Sequence, residues 1–407
     1  MRQELPTLDR LLTHGHYGIL ESSYPPTTIP AWMSMFTGKS PGELGVYGFK
    51  HRRGHAMNSP IQLVSRLDYQ GKPIWEWASR QGLESVVVGV PSTWPVASLR
   101  GAMVSDFTTP SEQRCIYPAS DGDLFTNDWH WDLTHWRQSD QQATLHDLID
   151  LSQNYWRVFE QLLGRYPNWT LGILVDIAMD RAHHLFWEPA IDDGSPPKTN
   201  GPLWTFYKYL DARLESFIAT LPSEVSLLIV SDHGAQAMHG GFALNQWLLS
   251  KGYLKLKAQT VNSLKSGDVD WRKSTWWGEG GYVGKLHLSP YADVQPDEAI
   301  DTLRQQLRGD NLDHRVQIYS PNELYHTVNG SPPTAFVEVE GLRLRCIGSL
   351  TEDDNLWPTE NDQGADAANH HPDGLFIQNR CRKQLANREQ LQVIFDWIKE
   401  EMGASVP

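Results

Sequence analysis

"VSLLIVSDHG", residues 225–234, runs from an apolar, β-branched segment straight into Asp232, His233 and Gly234. Such a run reads as a buried strand with its polar residues at the carboxyl end. Upstream, "TLGILVD" (170–176) repeats the pattern, and "LWTFYKYLDARLESFIATL" (203–221) between them reads as a helix. Strand, helix, strand in that order predicts a parallel sheet covered on both faces. "SVVVGV" (85–90), ended by Pro91, adds another buried strand. Helices are predicted over 144–164, where apolar residues recur at helical spacing up to Gly164, over 296–309 with Pro296 at its first position, and over 388–402. The fold expected is α/β, doubly wound, a mostly parallel central sheet with helices on both faces. In such sheets ligands bind beyond the carboxyl ends of the strands.

The chain has 407 residues, 40% of them hydrophobic, enough for a full core in one large domain with insertions. Its net charge of −14 without a block of Lys and Arg argues against a nucleic-acid or anionic-membrane partner, although a local cation can still attract a small anion. Cys115, Cys346 and Cys381 are far apart and odd in number, so they read as free thiols of a reducing compartment. With no apolar run long enough for a leader or an anchor, the expected location is the cytoplasm. Seventeen Trp, several of them in "NDWHWDLTHW" (127–136), read either as lid packing or as a stacking surface for a ring.

Three polar clusters stand where strand ends are expected. After the first strand, "DIAMDRAHHLFW" puts Asp180 and His184 four apart, on one face if the stretch is helical. After the next come Asp232 and His233, with Gly234 permitting a tight turn. The third is His370 with His371, in a loop before "PDGLFI". Each has an ordinary reading when taken alone: a surface pair, an N-cap beside an exposed imidazole, or two solvated histidines. Together they form the mixed oxygen and nitrogen donor set that suits Zn²⁺ or Mn²⁺. Two such ions stabilise both the attacking and the leaving oxygen of a displacement at phosphorus. The nucleophile is then sought in "YPPTTIPAWMSMFTG" (24–38), where Thr27 and Thr28 sit among three prolines. A threonine hydroxyl is inert at neutral pH unless a metal or a base activates it.

In this order, "PPTTIPAWMSMFTGKSPGELGV", "DRAHHLFW", "SDHG" with "GGFALNQWLLSKGYL", and "NDQGADAANHHPDGLFI" resemble the type I phosphodiesterase/nucleotide pyrophosphatase branch of the alkaline phosphatase superfamily. The resemblance implies an alkaline phosphatase-like fold, two divalent metals, Zn²⁺ with Mn²⁺ as the alternative, and hydrolysis of phosphodiesters or nucleotide pyrophosphates through a phospho-threonine. On this sequence it places the nucleophile at Thr28, one metal on Asp180, His184 and His370, and the second on Asp232, His233 and the Thr28 oxygen. His371 falls at a variable position. The substrate implied is a small phosphate ester or nucleotide; oligomeric state is left open.

One departure concerns the second metal. The resemblance implies a first strand with a Gly-Leu-Asp-Gly-like turn whose Asp is a further ligand, and that strand is missing here, with Asp9 in the helix expected to follow it. The readings are a start downstream of the real one, a catalytically impaired or non-catalytic metal-binding form, or a variant working with one strong metal. Residues 1–407 are expected as one catalytic domain, with lid segments near 107–140, 255–285 and 320–365.

Overall fold

Val86, Val87 and Val88 are all fully buried, yet they serve two different cores. Val87 packs into one cluster with Ile29, Trp32, Trp75 and Ile394, whereas Val86 and Val88 join another with Leu148, Tyr155, Phe159 and Ala182. A strand sends alternate side chains to opposite faces, so an unbroken valine run is the mark of a strand covered on both.

The computed structural model describes residues 4–110, 113–126, 129–133, 141–257, 264–351, 353–359, 364 and 366–403. In chain order α1 (Pro6–His14), β1 (His16–Glu21), α2 (Thr28–Thr37), α3 (Pro41–Leu44), β2 (Lys50–Arg52), β3 (Ile61–Leu63), α4 (Ile74–Arg80), β4 (Glu84–Val88), β5 (Gly101–Val104) and β6 (Ile116–Tyr117) precede the long α5 (Gln141–Arg165). Next come β7 (Trp169–Leu174), α6 (Ala178–Phe186), α7 (Pro202–Thr220), β8 (Leu227–Val230), β9 (Gly234–Ala237), β10 (Gly241–Ala243) and α8 (Leu244–Ser250). The remainder holds β11 (Trp276–Glu279), β12 (Gly284–Leu288), α9 (Pro296–Gly309), β13 (Val316–Tyr319), α10 (Pro321–Leu324), β14 (Ala335–Val339), β15 (Arg345–Ile347), β16 (Ala368–His371), β17 (Asp373–Asn379), β18 (Arg388–Gln390) and α11 (Val393–Glu401).

Two sheets carry the fold, ordered β6-β5-β4-β7 and β18-β1-β17-β8. Leu20 of β1 and Phe376 of β17 share the same apolar cluster as Val87, Met103 and Ile173, so both sheets rest on one core beneath α2 and α11. The α/β architecture is the expected one, with strand directions more mixed than in an ideal doubly wound sheet. The β4–β5, β4–β7 and β1–β18 pairs are parallel, while β1–β17, β17–β8 and β5–β6 are antiparallel. Edge strands β7 and β8 lead into the Asp180 and Asp232 segments respectively. A third sheet, β11-β12-β14-β13, builds its own core with α8 and α9.

Two local expectations change. Residues 388–390 form β18 rather than the first turn of the last helix, because they pair in parallel with Ile19–Glu21. His370 and His371 lie on β16, paired antiparallel with Ala235 and Gly234, and not in a loop. In the Trp-rich stretch, Trp129 meets Phe125 and Tyr155 with tilted rings and Trp131 edge-on, which makes it packing for the α5 core; Trp136 lies outside the described residues.

Candidate active site

Thr28 opens α2, with Thr27 in extended conformation as its N-cap. The segment TIPAWMSMFT has no charge, and all ten residues are buried, as befits a helix that is apolar all round. Pro30 falls in the first turn, where its missing N–H costs nothing, and Gly38 ends the helix in a left-handed conformation at φ 68°. Thr28 therefore sits, 4% exposed, at the positive end of a helix dipole.

The three polar clusters converge. Asp180 and His184 lie on α6, as helical spacing predicts, with Asp180 Oδ1 3.5 Å from His184 Nε2. The same oxygen is 3.9 Å from His233 Nε2 and 3.9 Å from His370 Nε2. His184 Nε2 and His370 Nε2 are 3.3 Å apart, and the His233 and His370 rings stack at 3.6 Å. Asp232 Oδ2 lies 3.4 Å from His233 Nε2. His371, by contrast, uses Nδ1 to accept the Asp373 N–H at 3.0 Å.

A carbonyl fixes the state of His370. Its Nδ1 lies 2.5 Å from the carbonyl oxygen of Pro26, which can only accept, so Nδ1 carries the proton and Nε2 keeps a lone pair facing Asp180. Burial, reinforced by His233 and His184, holds the His370 pKa well below its ordinary value. Burial would raise the Asp180 pKa, but His184, Arg181 and His370 hold it well below the carboxylate range. Burial would lower that of His184, but Asp180 and Asp366 push it up. Burial raises that of Asp232 to about 6.

These residues fit a divalent cation. Asp232 Oδ2 and His233 Nε2 are buried with no hydrogen-bond partner, which a folded protein rarely leaves uncompensated. Two carboxylates flank His184, Asp180 at 3.5 Å from Nε2 and Asp366 at 2.8 Å from Nδ1, a surrounding that favours positive charge. Asp180, His233 and His370 offer ligand atoms within 4.8 Å of one another.

Four supporting residues are not singled out by the sequence patterns, although Arg181, Asp132 and Asp366 lie within stretches quoted there. Arg181 donates to Asp180 Oδ2 at 2.8 Å and to Asp132 Oδ2 at 2.6 Å, which leaves Asp180 Oδ1 to face the imidazoles. Asp366 Oδ1 accepts from His184 Nδ1 at 2.8 Å, and its Oδ2 accepts from the Tyr282 hydroxyl at 2.9 Å. The Tyr282 ring stacks over His184, 5.3 Å away and tilted by 8°. Arg181 is legible only as the neighbour of Asp180; the other three come from distant segments joined by folding.

The structure is similar to phosphonoacetate hydrolase from Sinorhizobium meliloti 1021 in complex with phosphonoformate, with a TM-score of 0.63, 14% identity, and coverage of 98% of this chain and 90% of that one. It is also similar to human ectonucleotide pyrophosphatase/phosphodiesterase 5, with TM-score 0.52, 13% identity, and coverage of 99% and 91%. An inactive murine form of the latter in complex with AMP gives TM-score 0.54 at 12% identity, covering 100% of this chain and 92% of that one. Among curated proteins, sequence comparison finds no significant match. The profile of the type I phosphodiesterase / nucleotide pyrophosphatase family matches residues 1–331, a span that holds Thr28, Asp180, His184, Asp232 and His233. With that match over most of its length, the chain belongs to the type I phosphodiesterase/nucleotide pyrophosphatase family and is a hydrolase of that class.

Proposed function

We propose that the protein hydrolyses small phosphate esters, of the phosphodiester or nucleotide pyrophosphate type, through a phospho-threonine at Thr28. The observation that carries this reading is the His370–Pro26 contact, which ties the imidazole and carboxylate cluster to the segment that delivers Thr28. In the reaction, the Thr28 oxygen bonds to phosphorus while the ester P–O bond breaks, and the alcohol leaves with a proton. Water then attacks the same phosphorus, the bond to Thr28 breaks, and the hydroxyl is restored. Backbone N–H groups at the start of α2 face the phosphoryl oxygens and stabilise their charge.

Asp180, His184 and His370 would hold one divalent metal, and Asp232, His233 and Thr28 the second, with Zn²⁺ or Mn²⁺ suited to the donors. Bound there, such ions supply Lewis-acid stabilisation and lower the pKa of a coordinated hydroxyl. The chain's own residues set the stage: Arg181 orients Asp180, Asp366 orients His184, and Pro26 orients His370. The phosphonoformate and AMP bound by the two neighbours are small phosphorus anions, as a small phosphate ester would be. Three free thiols support a reducing, cytoplasmic setting, and no helix among the described residues is long and apolar enough to cross a membrane.

The test is Thr28→Ala assayed on bis-p-nitrophenyl phosphate, with metal content measured in parallel. Loss of hydrolysis with metal retained is expected; an alanine variant that kept most of its rate would remove Thr28 as nucleophile. A second reading, a metal-binding member with impaired catalysis, is favoured by one observation: Asp232 and His233 make a sparse ligand set for a second ion. Metal stoichiometry decides between them, near two per chain for the intact centre and near one for the impaired form.

A further inference from the structure

A second polar pocket lies between the β2–β3 and β11–β12 hairpins. Lys50, His51, Arg52, Glu279, Lys285 and His287 line it, and its volume is ≈ 290 Å³ counting the part open to solvent. In a chain with net charge −14, this is a concentration of positive charge: three cations against one carboxylate. Arg52 hydrogen-bonds and ion-pairs with one oxygen of that carboxylate, Oε1 of Glu279, and leaves Oε2 on the side of His287.

What remains is a set of polar groups without hydrogen-bond partners. His287 is 3% exposed, its ring stacks on Trp277 at 4.5 Å, and neither ring nitrogen has a hydrogen-bond partner. The nearest charged oxygen, on Glu279, is 3.8 Å from Nε2. His51 Nε2 is likewise buried and unpartnered. Lys285 Nζ makes no hydrogen bond or ion pair among the described residues, and it is held so close to the backbone that a Cβ on Gly48 would sit 2.9 Å from it. Leaving the buried imidazole nitrogens unsatisfied costs roughly 1–3 kcal/mol each. A metal ion is repelled by the ammonium and guanidinium groups, and a neutral ligand leaves their charge unused. An oxyanion, which only accepts, complements them.

We propose that this pocket binds an oxyanion group, phosphate-like or carboxylate, held by Lys285 and His287 with the exposed Lys50 at its mouth. Two sources share that chemistry: a free inorganic anion, or a second acidic group on the substrate. The second source rests on the hydrolytic reading above and has a structural basis. Lys285 follows Tyr282 by three residues, roughly 10 Å of extended chain, and Tyr282 covers His184.

The experiment follows the His287 resonances of ¹⁵N-histidine-labelled full-length protein as inorganic phosphate is added, the signals being identified by their loss in His287→Gln. A saturable shift is expected in the native protein. Lys285→Met should need about tenfold more phosphate or greater, while Lys285→Arg, which keeps the charge, should stay within about threefold. Unmoved His287 signals, or a Lys285→Met midpoint equal to the native one, would overturn the proposal. This readout needs no turnover, so it stands or fails separately from the hydrolytic reading. Assay of Lys285→Met then identifies the source. A KM increase confined to substrates with a second acidic group places that group in the pocket; unchanged kinetics beside weakened phosphate binding assigns it to a free anion.

Discussion

His370 donates its Nδ1 proton to the carbonyl oxygen of Pro26 at 2.5 Å, joining strand β16 to the proline-rich turn just before Thr28. A single hydrogen bond thus selects the imidazole tautomer and ties the imidazole and carboxylate cluster to the turn before α2. Histidines that bind metals are commonly oriented through their other nitrogen in this way.

Replacing His370 and His371 one at a time separates these roles. His370→Ala should lower both bound metal and phosphodiester hydrolysis, the latter by about 100-fold or more. His371→Ala loses only a contact to the Asp373 N–H and should remain within about threefold of the native rate. Metal analysis and a chromogenic assay on both variants check the contrast.

Thr27 and Thr28, adjacent in the proline-rich segment 24–38, should diverge as sharply. Thr28→Ala is expected to cost about 1,000-fold or more in rate. Thr27 occupies the N-cap, but its side chain makes no capping hydrogen bond, so Thr27→Ala should cost less than about 0.5 kcal/mol in unfolding free energy, below the usual capping penalty. Urea unfolding beside steady-state rates reports both.

Asp366 acts on the site through His184, not by touching the reacting groups. Asp366→Asn preserves shape but removes the charge that strengthens His184 as a donor, so metal affinity should fall about 10- to 100-fold. Activity should recover as metal is added in excess. Competition with a chromophoric chelator measures the affinity directly.

Asp106 predicts a pH dependence of stability away from the site. It is fully buried, and burial pushes its pKa up to about 6 despite hydrogen bonds from Thr93 and Thr108. Because the folded value lies above the unfolded one, the folded state binds the proton more tightly. Its stabilising contribution is complete below the unfolded value and is lost as pH rises through about 6. Asp106→Asn should therefore gain on the native protein between acidic and neutral pH, by up to about 3 kcal/mol. Unfolding of the pair from about pH 3.5 to 7, which spans the unfolded and folded values, would show it; a difference that shrinks with pH would contradict it.

The regular elements were largely legible. Helix α9 has the bounds expected from Pro296 and Gly309, and α5 and α7 lie within a few residues of prediction, because long periodic segments report their own buried face. Strand β18 was not, since Arg388, Glu389 and Gln390 have no pattern of their own and become a strand only by pairing with β1. His370 was legible as a candidate and misplaced in a loop for the same reason, its strand being defined by β9.

By itself, the sequence determined the α/β alternation, the covered strand β4, and the residue types able to bind a metal, because strand and helix periodicity and donor chemistry are local properties; β7 and β8, expected as buried neighbours in one parallel sheet, are instead half-exposed edge strands of two different sheets. Tertiary structure alone decided that Pro26 orients His370, that Asp366 and Tyr282 brace His184, and that Lys285 and His287 meet in an anion-seeking pocket. These contacts join residues up to 344 positions apart, and their geometry depends on how whole layers pack around the shared core.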